Sequence, residues 1–188
     1  MLVKLVDETK AAIVSAIQGA DDVFTALRGA VRSQVAGALK DVSDVTTTGM
    51  ESIVAIVTGG MKSVGEVGAS LVDVAQNTVS AAILGVTEVG GDIFDAARNA
   101  AHGAVTGASE VGQDLGSAAV GAVEGAINAA GSVGADTAKA ASEAVVGAIH
   151  AADNISSAAG KAVRGALQTA ASLPRDVIES AIKGSSEE

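Results

Sequence analysis

An eleven-residue period runs from Met1 to Glu187 without an insertion or deletion. Set out in rows of eleven, the chain has a first column reading Met1, Ala12, Val23, Gln34, Val45, Ile56, Val67, Thr78, Val89, Ala100, Val111, Ala122, Val133, Ala144, Ile155, Ala166 and Val177, apolar except at Gln34 and Thr78. Eleven residues complete about three helical turns, so such a column runs almost straight along an α-helix. This places an apolar stripe on one side of the helix, and the stripe has to be covered by something.

Other columns widen the stripe. The sixth supplies bulk, including Leu39, Met50, Met61, Val72, Ile83, Phe94, Val105, Ile127 and Ile149, while the eleventh is polar, with Asp22, Glu66, Glu88, Glu110 and Glu143. Val23, Leu39, Val67, Val72, Ile83, Val89, Phe94, Val105, Val111, Ile127, Val133, Ile149 and Ile155 are the expected self-association stripe. A second period, of two rows, overlies the first. Gly68, Gly90, Gly112 and Gly134 recur in alternate rows, and Gly103, Gly125 and Gly147 recur in the rows between. All seven are expected to be close-packing glycines, where the lack of a side chain lets another helix approach. Leucine at Gly112 is accordingly expected to obstruct helix packing.

These patterns predict an all-α fold: one long continuous amphipathic helix with an 11/22-residue repeat, assembling as a straight or right-handed coiled-coil rod or tube. The competing arrangement is a hairpin bundle, with Thr46 to Gly49, Gly59-Gly60 and Gly90-Gly91 as candidate turns. A turn normally shifts register, and none of these does, which favours the rod. Pro174 is the firm stop, since proline suits only the first turn of a helix. The expected division is residues 1–173 as the repeat rod and 174–188 as a short helix and polar tail.

Composition supports small-residue packing. Phe24 and Phe94 are the only aromatics, and glycine occurs 23 times. There is no cysteine, which excludes disulfides and cysteine-based metal sites. The start carries Lys4, Asp7 and Glu8 where a secretory signal needs an apolar run, so an intracellular location is expected. No uncharged stretch is long enough for a transmembrane span. Net charge is −10, from 22 acids against 12 bases, a field that repels nucleic acid and anionic membranes.

The residues point to no reaction. His102 and His150 lack further ligands at metal spacing, and Asp92 with Asp95 reads as a solvated pair. No phosphate-binding glycine loop, nucleophile elbow or calcium loop is present, so neither catalysis nor a cofactor or metal site is expected. Met50, Met61 and Phe94 share one column, as core residues do.

Gly103-Ala-Val-Thr-Gly-Ala-Ser-Glu-Val-Gly112 and Gly121-Ala-Val-Glu-Gly-Ala-Ile-Asn-Ala-Ala130 resemble the eleven-residue repeats of perilipins and, more loosely, those of phasins, synucleins and group 3 late-embryogenesis proteins. The resemblance implies helices that form on a lipid or polymer surface, or on drying. The stripe, the glycine pattern and this resemblance together give three expected roles. The first is a non-enzymatic structural protein, a homo-oligomeric scaffold, stalk or filament. The second is an amphipathic coat of lipid droplets or storage-polymer granules, and the third a helical bundle or tube enclosing an apolar ligand such as lipid or quinone.

Overall fold

A computed structural model describes residues 2–17, 22–40, 47–63, 65 and 68–185. Among these the chain is helical without strands, as nine helices in sequence: α1 (Leu2–Ile17), α2 (Val23–Lys40), α3 (Thr47–Met61), α4 (Leu71–Glu88), α5 (Ile93–Glu110), α6 (Leu115–Ser132), α7 (Thr137–Ile155), α8 (Ser157–Thr169) and α9 (Arg175–Gly184). The all-α expectation holds, but the continuous rod is replaced by packed helices.

The turns explain the difference. Helices α4, α5 and α6 are each 18 residues long and each is followed by a four-residue turn, so one helix-and-turn unit fills two eleven-residue rows. The chain reverses without leaving its register, and register is therefore no argument against turns here. Each turn has the same chemistry: Val89-Gly90-Gly91-Asp92, Val111-Gly112-Gln113-Asp114 and Val133-Gly134-Ala135-Asp136. The glycine after the valine takes a left-handed conformation, with φ of 75° at Gly90, 68° at Gly112 and 70° at Gly134, and Gly68 has φ of 67°. At α4 the Gly90 N–H donates to the Thr87 carbonyl and the Gly91 N–H to the Val86 carbonyl. This pairing satisfies carbonyls left open at a helix end, and glycine enters it without steric cost.

The next helix starts on an acid or a serine. Asp92 Oδ1 accepts from the Phe94 and Asp95 N–H groups at 2.8 and 2.9 Å, Asp114 Oδ1 from Ser117 N–H at 2.6 Å, and Asp136 Oδ1 from Ala138 N–H at 2.9 Å. Ser70 Oγ accepts from Asp73 N–H at 3.1 Å. Such caps satisfy first-turn donors and place negative charge where the helix dipole favours it. Asp92 is thus a cap rather than half of a solvated pair. At Ser156 the rhythm changes: this extended residue ends α7 and caps α8, accepting from Ala159 N–H. Pro174 precedes α9.

Every substantial contact of a described helix is with the next helix or the next but one. Odd-numbered helices form one row and even-numbered helices the other, with the heaviest packing along the rows. Such an array has the connectivity of a solenoid, in which each unit contacts only its neighbours. The core between the rows is rich in alanine: Ala96, Ala97, Ala100, Ala101 and Ala104 on α5 and Ala118, Ala119, Ala122 and Ala126 on α6 are all fully buried.

Candidate functional site

The most specific geometry lies along the rows, where one helix meets the backbone of another. A methyl group at Gly103 would sit 2.7 Å from the Val54 carbonyl oxygen, at Gly107 2.9 Å from that of Thr58, and at Gly125 2.5 Å from that of Gln76. Gly121 abuts the Val72 carbonyl and Gly147 that of Arg98. In all five cases the partner lies 49 positions earlier, and on α5 the two partners rise together, so helices within a row run parallel and in register. Glycine serves here by omission: the backbones touch, and dispersion over that contact replaces the bulk of larger side chains.

Polar struts brace the same seams. Lys62 Nζ on the turn after α3 meets Glu110 Oε2 at 2.6 Å, Arg98 Nε on α5 donates to Glu143 Oε2 of α7 at 2.7 Å, and Arg32 of α2 pairs with Glu88 at the end of α4. Thr58 Oγ1 donates to the Gly103 carbonyl at 3.1 Å inside the seam. Arg164 of α8 grips Asp153 of α7 with both terminal nitrogens, at 2.9 and 2.7 Å. That guanidinium holds the Asp153 carboxyl below its usual range. Hydrogen bonding to Ser117 does the same at Asp114. Burial, followed by the charge of His150, lowers the pKa of His102. The His102 Nδ1 atom is buried without a hydrogen-bond partner among the described residues.

The predicted stripe is divided by the turns. Leu39, Ile83, Val105 and Ile149 are buried in the core, and Val23, Val72, Val89, Phe94 and Ile127 are partly buried. Val111, Val133 and Ile155 are exposed at helix ends by 38%, 41% and 43%, because with a turn every second row these positions fall outside the core. Their first-column counterparts one row away, Ala100, Ala122 and Ala144, are fully buried. Val67 lies outside the described residues.

The glycines divide as well. Gly103, Gly125 and Gly147 are close-packing residues. Gly68, Gly90, Gly112 and Gly134 are not: nothing lies within 4 Å of a methyl group placed on any of them, and their positive φ makes them turn residues. Sequence reasoning merged two glycine series with different physical causes. The signal that separates them is the recurrent Val-Gly-x-Asp, a helix stop followed by a helix start.

Two clefts each span three helices of one row. One, of about 340 Å³, lies across α1, α3 and α5 and is mostly apolar, with Val6, Val54 and Ala55 below the Lys62–Glu110 pair. The other, of about 440 Å³, lies across α2, α4 and α6 and contains Arg28, Arg32, Ser80, Leu84, Asn128 and Ser132. Among the described residues no group of three or more His, Asp or Glu side chains is placed to hold a metal ion, and no helix is long and apolar enough to cross a membrane. No protein-family model matches the chain, and no curated protein or solved structure matches it either.

Proposed function

We propose that this chain is a non-enzymatic structural protein, a helical scaffold or spacer made by stacking a helix-and-turn unit two rows long. The observation that carries this reading is the register shared by the α3–α5, α4–α6 and α5–α7 glycine seams, with Gly103, Gly121 and Gly147 each set on the residue 49 positions before. A seam between rigid backbones fixes the rise from one helix to the next, so repetition gives a body of defined dimensions. Because the chain covers most of its own stripe, the driving force expected for homo-oligomer assembly is satisfied internally. The scaffold then works as a single chain.

Sedimentation, small-angle scattering and circular dichroism over a hundredfold concentration range test this. The expected result is a helical monomer whose dimensions and helix content do not change on dilution. A mass that rises with concentration, or helix lost on dilution, would overturn it and return the self-associating rod.

A second reading, a coat on lipid or storage polymer, is favoured by the neighbour-only contacts. Units at one end can open without breaking distant contacts, and an opened helix offers its apolar face to another phase. Flotation with a triolein emulsion separates the two: the coat rises with the oil and the scaffold stays in the buffer.

A further inference from the structure

The seam register changes along the array. A methyl group on Gly59 of α3 would lie 2.6 Å from the Val6 carbonyl oxygen of α1, and one on Gly85 of α4 would lie 2.9 Å from the Arg32 carbonyl oxygen of α2, so that each partner lies 53 positions earlier rather than 49. Four residues are about one helical turn, or about 6 Å of displacement. The two described clefts lie across the helices that carry both registers, one over α3 and the other over α4. Where one neighbour is displaced by a turn, side chains from three helices cannot close over the middle one.

We propose that the cleft over α4 is a binding site for a small organic anion, a carboxylate or phosphate on a short apolar body, with the Arg28 guanidinium as its principal ligand. Arg32, Arg98 and Arg164 are each given a carboxylate, by Glu88, Glu143 and Asp153. Among the described residues Arg28 and Arg175 have no carboxylate partner, and of these two Arg28 lines the cleft. Among the described residues Arg28 donates to neutral acceptors, Asn77 Oδ1 at 3.0 Å and Thr25 Oγ1 at 3.4 Å. Asp22, at the start of α2, feels the Arg28 charge without pairing with it. Arg28 is solvent-exposed at the cleft, so with no carboxylate partner among the described residues its fork is open to an anion from solution.

The guanidinium fork matches a carboxylate or phosphate and forms charge-assisted hydrogen bonds to either. Arg32 stands one turn along α2 on the same cleft, with its charge offset by Glu88. Across from them Ser80 and Asn128 make no side-chain hydrogen bond among the described residues, which leaves donors for the anion or for a polar group at the far end. Ala81 and Leu84 supply an apolar floor. A volume of about 440 Å³ is in the range of small-molecule sites. The site does not depend on the scaffold reading, since it needs only the fold.

The test uses the full chain, ¹⁵N-labelled, titrated with octanoate, octyl phosphate and octanol. The expected result is saturable amide shifts around Arg28, Ser80 and Asn128 with the two anions, and binding of octanol at least tenfold weaker. Tighter octyl phosphate assigns a phosphate ligand and tighter octanoate a carboxylate; either supports the site. Arg28→Gln should weaken both anions about tenfold and leave octanol unchanged, with Arg28→Lys in between. In the unmutated protein, octanol binding as tight as that of the anions would overturn the proposal. So would anion shifts centred on Lys62, no saturable shift with either anion, or full anion affinity in a folded Arg28→Gln variant.

Discussion

Gly147 of α7 rests directly on the main-chain carbonyl of Arg98 in α5, so closely that even a methyl group would overlap the oxygen. The obstacle is backbone, held on both sides by its own helix, and cannot swing aside. Overpacking of this kind costs about 1–3 kcal/mol, against about 1 kcal/mol of helix propensity returned by alanine. We therefore expect Gly147→Ala to lower stability in urea denaturation. Gly37→Ala on α2 is the control, because nothing lies within 4 Å of its added methyl group and the position is exposed. There the propensity gain stands alone, and stability should rise by up to about 1 kcal/mol.

Gly112 should respond to side-chain size in another way. Its surroundings are open, and what constrains it is φ of 68°. Any L-residue there meets the left-handed penalty of about 1–2 kcal/mol, whatever lies beyond its β-carbon. Gly112→Ala and Gly112→Leu are thus expected to cost nearly the same in urea melts, with Gly112→Asn milder, whereas at Gly147 leucine should cost far more than alanine. Equal size dependence at both positions would mean that Gly112 is a packing residue after all.

The contrast shows what the sequence made legible. Helices with an apolar face follow from the eleven-residue columns, and the close-packing role of Gly103, Gly125 and Gly147 follows from their recurrence. The reversals were hidden because helix and turn together fill two whole rows, so that Val89-Gly90-Gly91-Asp92 fits the columns as well as an unbroken helix does. Periodicity reports which residues share a face, whereas a positive φ is a backbone property signalled by a glycine two residues before a capping Asp or, after Gly68, a capping Ser. The clefts were out of reach for a different reason. They arise where Gly59 and Gly85 select a register one turn from the others, and nothing within a single helix records the offset to its neighbour.

Asp114 ties stability to pH. Its carboxylate accepts the Ser117 N–H at 2.6 Å, and that bond holds its pKa below the ordinary value. The folded carboxyl binds its proton less tightly than the unfolded one. The stabilisation is therefore complete above the unfolded pKa of about 3.9 and is lost as pH falls through the depressed folded value. Asp114→Asn keeps an acceptor for Ser117 but does not titrate. We expect its urea midpoint to fall less than that of the unmutated protein between pH 5 and the acid transition, and Asp114→Ala to cost about 1 kcal/mol at neutral pH.

Repetition makes a deletion the most demanding test of the stacked unit. Removing residues 93–136 takes out α5 and α6 with their turns and joins the cap Asp92 to Thr137, as Asp136 joins it now. Two units leave, so each remaining helix keeps its row and its direction. α7 then follows α4 and falls beside α3, bringing Gly147 to the Val54 carbonyl where Gly103 lies in the intact chain. α4 and α8 both lose α6 and come to lie beside each other in its place, because no substantial contact reaches beyond the second neighbour. The shortened chain is expected to fold cooperatively, with the same helical fraction and a smaller maximum dimension in solution scattering. A core held together by distant contacts would instead collapse to a poorly ordered state when its two central helices are removed. Loss of the cooperative melt in this variant would refute the stacked-unit description even if every single-site prediction held.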